Sequence, residues 1–172
     1  LYEILPKVKT VVEDCKKLFD HVTLHLYLEK FEPTYQYLDK VKWEFIKEET
    51  SQVDCIVGIG GGSTIDLAKG IATVITNHEP SITYRGFPTD LNPSIPVIAV
   101  PSTAGTGTEL AYNAVFIDEE SNTKLGINSN GEKPNILNCK TEEISEIISS
   151  LHALITGATI DVNEVAGIKT KK

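Results

Sequence analysis

The sequence predicts an α/β fold: a doubly wound, mostly parallel sheet that also carries a β-hairpin. Three observations support this. Two short, continuously apolar runs, "VDCIVGI" (53–59) and "IPVIAV" (95–100), read as parallel strands covered on both faces. Between them "STIDLAKGIATVI" is apolar almost all round, as expected of a helix packed between two layers. Further on, "AYNAVFIDEESNTKLGINS" reads as a hairpin turning at "DEESN".

The remaining elements follow from periodicity. Residues 3–20 place Leu5, Val8, Val11, Val12, Cys15 and Phe19 on roughly one helical face, with Pro6 tolerated in the first turn. "HVTLHLYLEK" alternates Val22, Leu24, Leu26 and Leu28 against Thr23, His25 and Tyr27, the pattern of a strand with one buried face. "FEPT" interrupts it. Thr34 is placed to cap a helix whose stripe is Tyr35, Leu38, Val41, Phe45 and Ile46. The segment 78–94 holds three prolines and reads as a surface loop. Residues 141–155 read as a helix with Thr141 at its N-cap and Glu142 and Glu143 at its positive end. Strand and helix alternate through residue 77, which makes the arrangement Rossmann-like.

Composition narrows the function classes. The net charge of −8 disfavours a nucleic-acid partner, which needs clustered Lys and Arg. No apolar run reaches the length of a membrane span, and "LYEILPKVKT" lacks the apolar core of a signal peptide. The three cysteines, Cys15, Cys55 and Cys139, have no CxxC spacing and read as free thiols of a cytoplasmic protein. A soluble protein that handles small molecules fits this balance. The chain starts at Leu1 and contains no Met, so a fragment of a longer protein is expected.

The chemistry concentrates in two loops. Gly60, Gly61 and Gly62 stand where a strand ends and a helix begins. The first amides of a helix lack intrahelical partners, and its dipole is positive there. Glycines bring that backbone close to a phosphate, and Ser63 can cap the helix or donate its hydroxyl. A phosphate loop of the NTPase type needs Lys before Ser or Thr, and none stands here. The dinucleotide pattern G-x-G-x-x-G is met only by Gly58 and Gly60, with Ser63 in the third place. A ligand-free tight turn therefore stays open as a reading. The second loop, "PSTAGTGTE" (101–109), follows the second apolar strand and offers Ser102, Thr103, Thr106 and Thr108 to a ribose, phosphate or nicotinamide. In a doubly wound sheet both loops open onto one crevice.

"GIGGGSTIDLAKGIA", "VIAVPSTAGTGTE" and "TKLGINS", in that order, resemble the iron-containing (group III) alcohol dehydrogenase family of the dehydroquinate synthase-like superfamily. "EKFEPTYQYLDK" is similar to the segment the family places upstream. The resemblance covers roughly residues 1–137 and marks them as an NAD(P)-binding domain, with 138–172 as a helical extension. It implies that Gly60, Gly61, Gly62 and Ser63 bind the cofactor diphosphate. Asp66 would point towards the nicotinamide side and Lys69 would be structural. Ser102, Thr103 and Thr106 would contact the cofactor, and Lys124 would reach its ribose. The implied reaction is hydride transfer between an alcohol or aldehyde and NAD or NADP, with Fe²⁺ or Zn²⁺ polarising the alcohol oxygen. A homodimer is one oligomeric form open to it.

The departures from the family are equally specific. The strand that selects NAD or NADP would precede residue 1. The family's metal sits on an Asp followed four residues later by His, plus two further His. Here Asp161 is followed by Val165, and no His comes after His152. His21 and His25 sit on the expected strand, where a four-residue separation spans about 13 Å. The all-helical metal domain thus reads as largely absent, with neither metal ligands nor catalytic residues in this chain, and the chain alone is expected not to turn over an alcohol. A cyclase or lyase of the same superfamily is one alternative, disfavoured by the single Arg85. A truncated, non-catalytic nucleotide-binding module is another.

Overall fold

The computed structural model describes residues 31–47, 53, 55–101 and 106–128, together with 13, 16, 22–25 and 27. Residues 29–138 form one compact unit, and residues 1–28 and 139–172 group separately. Within the first unit the order is helix α1 (Tyr35–Lys47), strand β1 (Ile56–Gly60), helix α2 (Gly62–Val74), a 3-10 turn (Ser81–Tyr84), strand β2 (Val97–Pro101), a second 3-10 turn (Thr108–Leu110), and strands β3 (Asn113–Asp118) and β4 (Thr123–Asn128). β1 and β2 pair in parallel, from Ile56 opposite Val97 to Gly60 opposite Pro101. β3 and β4 form an antiparallel hairpin, from Asp118 opposite Thr123 to Asn113 opposite Asn128. The architecture is α/β with a parallel sheet, as the sequence predicts.

α2 is the centre of this unit. Ile65, Leu67, Ala68, Gly70, Ile71, Ala72 and Val74 are all buried, which accounts for an apolar surface that runs round the helix. On one side Ala68 and Ala72 pack with Val97, flanked by Ile56 and Ile95. A Cβ on Gly58 would come within 2.8 Å of the Ala68 Cβ, so the strand approaches the helix as closely as two backbones allow. On the other side a Cβ on Gly70 would lie 2.3 Å from the Phe116 ring and 3.2 Å from Leu38. Phe116 is fully buried and meets the Tyr35 ring at a centroid distance of 5.4 Å.

Local chemistry sets the element ends. The Thr34 hydroxyl accepts the Tyr37 amide at 3.0 Å, the N-cap read from the sequence, and donates to Glu119. The hairpin turns at 119–122, where Asn122 takes φ 50°. The Asp118 carboxylate accepts the Glu120 amide and the Ser121 hydroxyl, and the Ser121 bond holds its pKa below the ordinary value.

Four expectations need correction or bounding. Residues 22–25 and 27 carry no strand assignment and Leu24 is exposed; alternation sets faces, but a strand also needs a ladder, and none is described for these residues. The α1 stripe holds at Tyr35, Leu38 and Val41 but fades to a half-buried Phe45 and an exposed Ile46 as the helix leaves the core. The 78–94 segment is anchored rather than merely superficial: Ser81 is fully buried, with its amide and hydroxyl on Asp39, and Lys42 Nζ donates to the Glu79 carbonyl at 2.8 Å. Of the helix expected over 3–20, Glu13 and Lys16 are described and helical, whereas the helix expected over 141–155 lies outside the described residues. No described helix is long and apolar enough to cross a membrane.

Two measurements test this core. Gly→Ala in a helix ordinarily stabilises by about 1 kcal/mol, but at Gly70 the added methyl meets Phe116, and overpacking costs about 1–3 kcal/mol. Gly70→Ala should therefore lower the urea midpoint, and adding Phe116→Leu should recover part of the loss; a stabilised Gly70→Ala protein would refute the contact. The second concerns Tyr35, whose hydroxyl donates to the Leu125 carbonyl at 2.7 Å. Burial raises its pKa from 10.0 to about 12. A raised folded-state pKa gives stability that is full below pH 10 and lost as pH rises towards 12. Stability of the wild type relative to Tyr35→Phe should fall by on the order of 2 kcal/mol across that window, and parallel curves would refute it.

Candidate functional site: two loops at the carboxyl ends of the parallel strands

The glycine turn is shaped first by its own helix. Gly60 has φ 156°, and a Cβ there would lie 2.7 Å from Thr64 Oγ1. Gly61 is the N-cap in extended geometry, and its carbonyl accepts the amides of Thr64 and Ile65, both at 3.1 Å. No side chain caps the helix. Ser63 therefore lies inside the first turn, one place beyond Gly62, and the expected Ser63 cap is not formed. The Gly62 and Ser63 amides precede the first residues that can bond within the helix, so the helix start is a ready anion site.

The second loop meets this turn. β2 ends at Pro101 beside Gly60, so both loops leave the sheet at the same edge. A Cβ on Gly62 would lie 3.0 Å from Thr106 Cγ2 and 3.1 Å from Thr106 Oγ1. Gly107 follows with φ 62°, a left-handed conformation that suits glycine. Thr108 is buried. Its hydroxyl donates to Asp66 Oδ1 at 2.5 Å, and its carbonyl accepts from Lys69 Nζ at 2.9 Å. Lys69 also donates to the Asn113 carbonyl, and its ammonium lies 3.8 Å from Asp66 Oδ1. Burial raises the Asp66 pKa, opposed by the Thr108 hydrogen bond and by Lys69. Burial lowers the Lys69 pKa, opposed by Asp66.

The structure thus gathers Gly60, Gly61, Gly62, Ser63 and Thr106 at one sheet edge, with Asp66 one turn along α2. Ser102 and Thr103 lie outside the described residues. Lys124 stands on β4, half exposed, with Nζ 2.6 Å from Glu32. Sequence reasoning offered the Thr108 hydroxyl to a ligand, whereas Asp66 takes it. The signal was available: a D-x-x-K pair in an otherwise apolar helix needs internal partners, because an unpaired buried charge is costly. Among the described residues no group of three or more His, Cys, Asp or Glu could hold a metal ion, so they do not fit a metal centre. Replacing Lys69 by Met leaves two carbonyls short of their donor and a largely buried carboxylate without its counter-charge, and should cost about 2–4 kcal/mol in urea unfolding. A loss under about 0.5 kcal/mol, the size of an ordinary surface change, would show that Lys69 does not tie these elements together.

Comparison with known proteins gives this geometry a relationship. The family model described as iron-containing alcohol dehydrogenase matches residues 6–141. Alcohol dehydrogenase 4 of Schizosaccharomyces pombe is 35% identical over 122 residues, which is 70% of this chain and 27% of that protein. The 4-hydroxybutyrate dehydrogenase of Cupriavidus necator is 39% identical over 110 residues, 62% of this chain and 28% of that protein. Among solved structures, an alcohol dehydrogenase from Oenococcus oeni superposes with a TM-score of 0.61 at 35% identity, covering 71% of this chain and 31% of that one. A sulfoacetaldehyde reductase from Bifidobacterium kashiwanohense, solved in complex with NAD+, superposes with a TM-score of 0.58 at 25% identity, covering 74% of this chain and 35% of that one. The chain therefore spans less than a third of the two curated relatives. It belongs to the iron-containing alcohol dehydrogenase family.

Proposed function

We propose that this chain forms the dinucleotide-binding part of an NAD(P)-dependent alcohol dehydrogenase that interconverts a small alcohol and its aldehyde. The observation that carries the proposal is the contact of Thr106 with Gly62 at a helix start that no side chain caps. Helix-start amides beside the Thr106 hydroxyl suit a diphosphate. Gly62 and Ser63 present amides to the diphosphate, and the Ser63 hydroxyl adds a donor. Thr106 stands on the facing loop; Ser102 and Thr103 are proposed as further cofactor contacts on the strength of the family motif, and Lys124 as the ribose contact. When bound, the nicotinamide accepts or returns the hydride.

Residues 1–137 are proposed as the cofactor domain and 138–172 as the start of a helical domain. The family's Fe²⁺ or Zn²⁺ would be held by residues other than those described. A cytoplasmic setting and a homodimer complete the proposal.

The test is NADH and NADPH binding to this chain by calorimetry and thermal shift. At one hundred times Kd, ligand linkage adds about 2.7 kcal/mol of stability and raises the melting temperature. Gly62→Val places bulk against Thr106 and should weaken binding at least about tenfold, or 1.4 kcal/mol, with the circular dichroism spectrum unchanged. No heat and no shift with either cofactor at millimolar concentration would reduce the two loops to structural turns and favour a relic module.

A further inference from the structure

Asp66 and Lys69 lie inside α2, one to two turns beyond the glycine turn, and both side chains are largely buried. Their bonds run to one stretch of chain. Asp66 accepts the Thr108 hydroxyl. Lys69 donates to the Thr108 and Asn113 carbonyls. Thr108 is two residues beyond Thr106, and only Gly107, in its left-handed conformation, separates them. Three consecutive residues are thereby laid along α2: Thr106 against its first turn at Gly62, and Thr108 against its second at Asp66 and Lys69.

We infer that Asp66 and Lys69 are positioning residues of the cofactor site: acting through Thr108, they set the spacing between the glycine turn and the second loop without touching the cofactor. This rests on the cofactor reading above. The chemistry distinguishes the role from direct contact. The Asp66 oxygen nearest Lys69 is also the one that accepts the Thr108 hydroxyl at 2.5 Å, and the Lys69 ammonium uses two of its three donors on main-chain carbonyls. Asp66 Oδ1 and two of the three Lys69 donors are thus engaged by the protein itself. Without the Thr108 anchor, the described hold of this loop on the glycine turn reduces to the van der Waals contact between Thr106 and Gly62.

The experiment compares the wild type with Thr108→Val, Thr108→Ser, Asp66→Ala and the Asp66→Ala/Thr108→Val double variant. It reads the NADH dissociation constant of the folded protein and, without cofactor, amide hydrogen exchange at Leu110 and Ala111, whose amides donate to the Gly107 and Thr108 carbonyls. Thr108→Val should weaken NADH binding about tenfold, the size of one hydrogen bond to a charged group, and speed both amides. Thr108→Ser, which keeps the hydroxyl, should restore both readouts. The double variant should bind no more weakly than Asp66→Ala alone, because the two changes remove one interaction. Wild-type binding matched by Thr108→Val overturns the inference, and so do losses that multiply in the double variant, since Asp66 would then act on the cofactor itself. If the wild type binds no NADH, the cofactor reading fails separately, and the exchange measurement still decides: unchanged exchange in Thr108→Val overturns the anchor.

Discussion

The constraint on which this unit depends is the close approach of α2 to both of its neighbours. Gly58 admits Ala68 on one side, and Gly70 admits Phe116 on the other. A missing Cβ at each contact lets α2 lie close to the parallel pair at Ala68 and to the hairpin at Phe116. Close-packed interiors tolerate little shift before atoms overlap or contacts are lost. The axial position and rotation of α2 are therefore set from two opposite sides. Its first turn, where the candidate site lies, inherits that precision in part from packing at Ala68 and Gly70, six and eight residues beyond Gly62.

A helix so enclosed is an expensive place for charges, and α2 carries two. Burial acts on both in the direction of neutrality, raising Asp66 and lowering Lys69. Such a pair is a weak source of net stability even when its geometry is good, because desolvation offsets attraction. Its effect is better understood as specification. The Lys69 ammonium joins α2 to the carbonyls of Thr108 and Asn113, at the two ends of the short connection leading into β3. An apolar replacement could fill the space but could not select those carbonyls. The pair thereby couples the packing that positions α2 to the course of the chain leaving the second loop.

Legibility of these features in the sequence followed their locality. α2, β1, β2 and the hairpin were readable because periodicity and turn residues act within a few positions, and the Thr34 cap involves only Tyr37. What failed depended on distant partners. The 21–30 alternation marks two faces, but a strand is made by a neighbour that sequence does not display. Ser81 is a polar-looking loop residue, fully buried, whose amide and hydroxyl meet Asp39, 42 positions away. In sequence Thr108 is interchangeable with the other hydroxyls of its loop; in the structure its hydroxyl donates to Asp66, also 42 positions away. The two motifs were legible as motifs, whereas their internal division of labour was not.

That division changes what the glycine run signifies. Gly58 is required by Ala68 and Gly60 by Thr64, and both needs exist with no ligand present. Three glycines in sequence are therefore poor evidence for a phosphate by themselves, since a close strand–helix junction demands part of the run for packing alone. The evidence that points outward lies elsewhere. An N-cap without a side chain leaves helix-start amides to an external acceptor, although Ser, Thr, Asp or Asn at that position would stabilise the helix by about 1 kcal/mol. The φ of −78° at Gly61 is open to ordinary residues, so its backbone conformation alone does not demand glycine. The uncapped helix start, beside a loop that brings Thr106 against Gly62, is the feature of the run that points to a ligand.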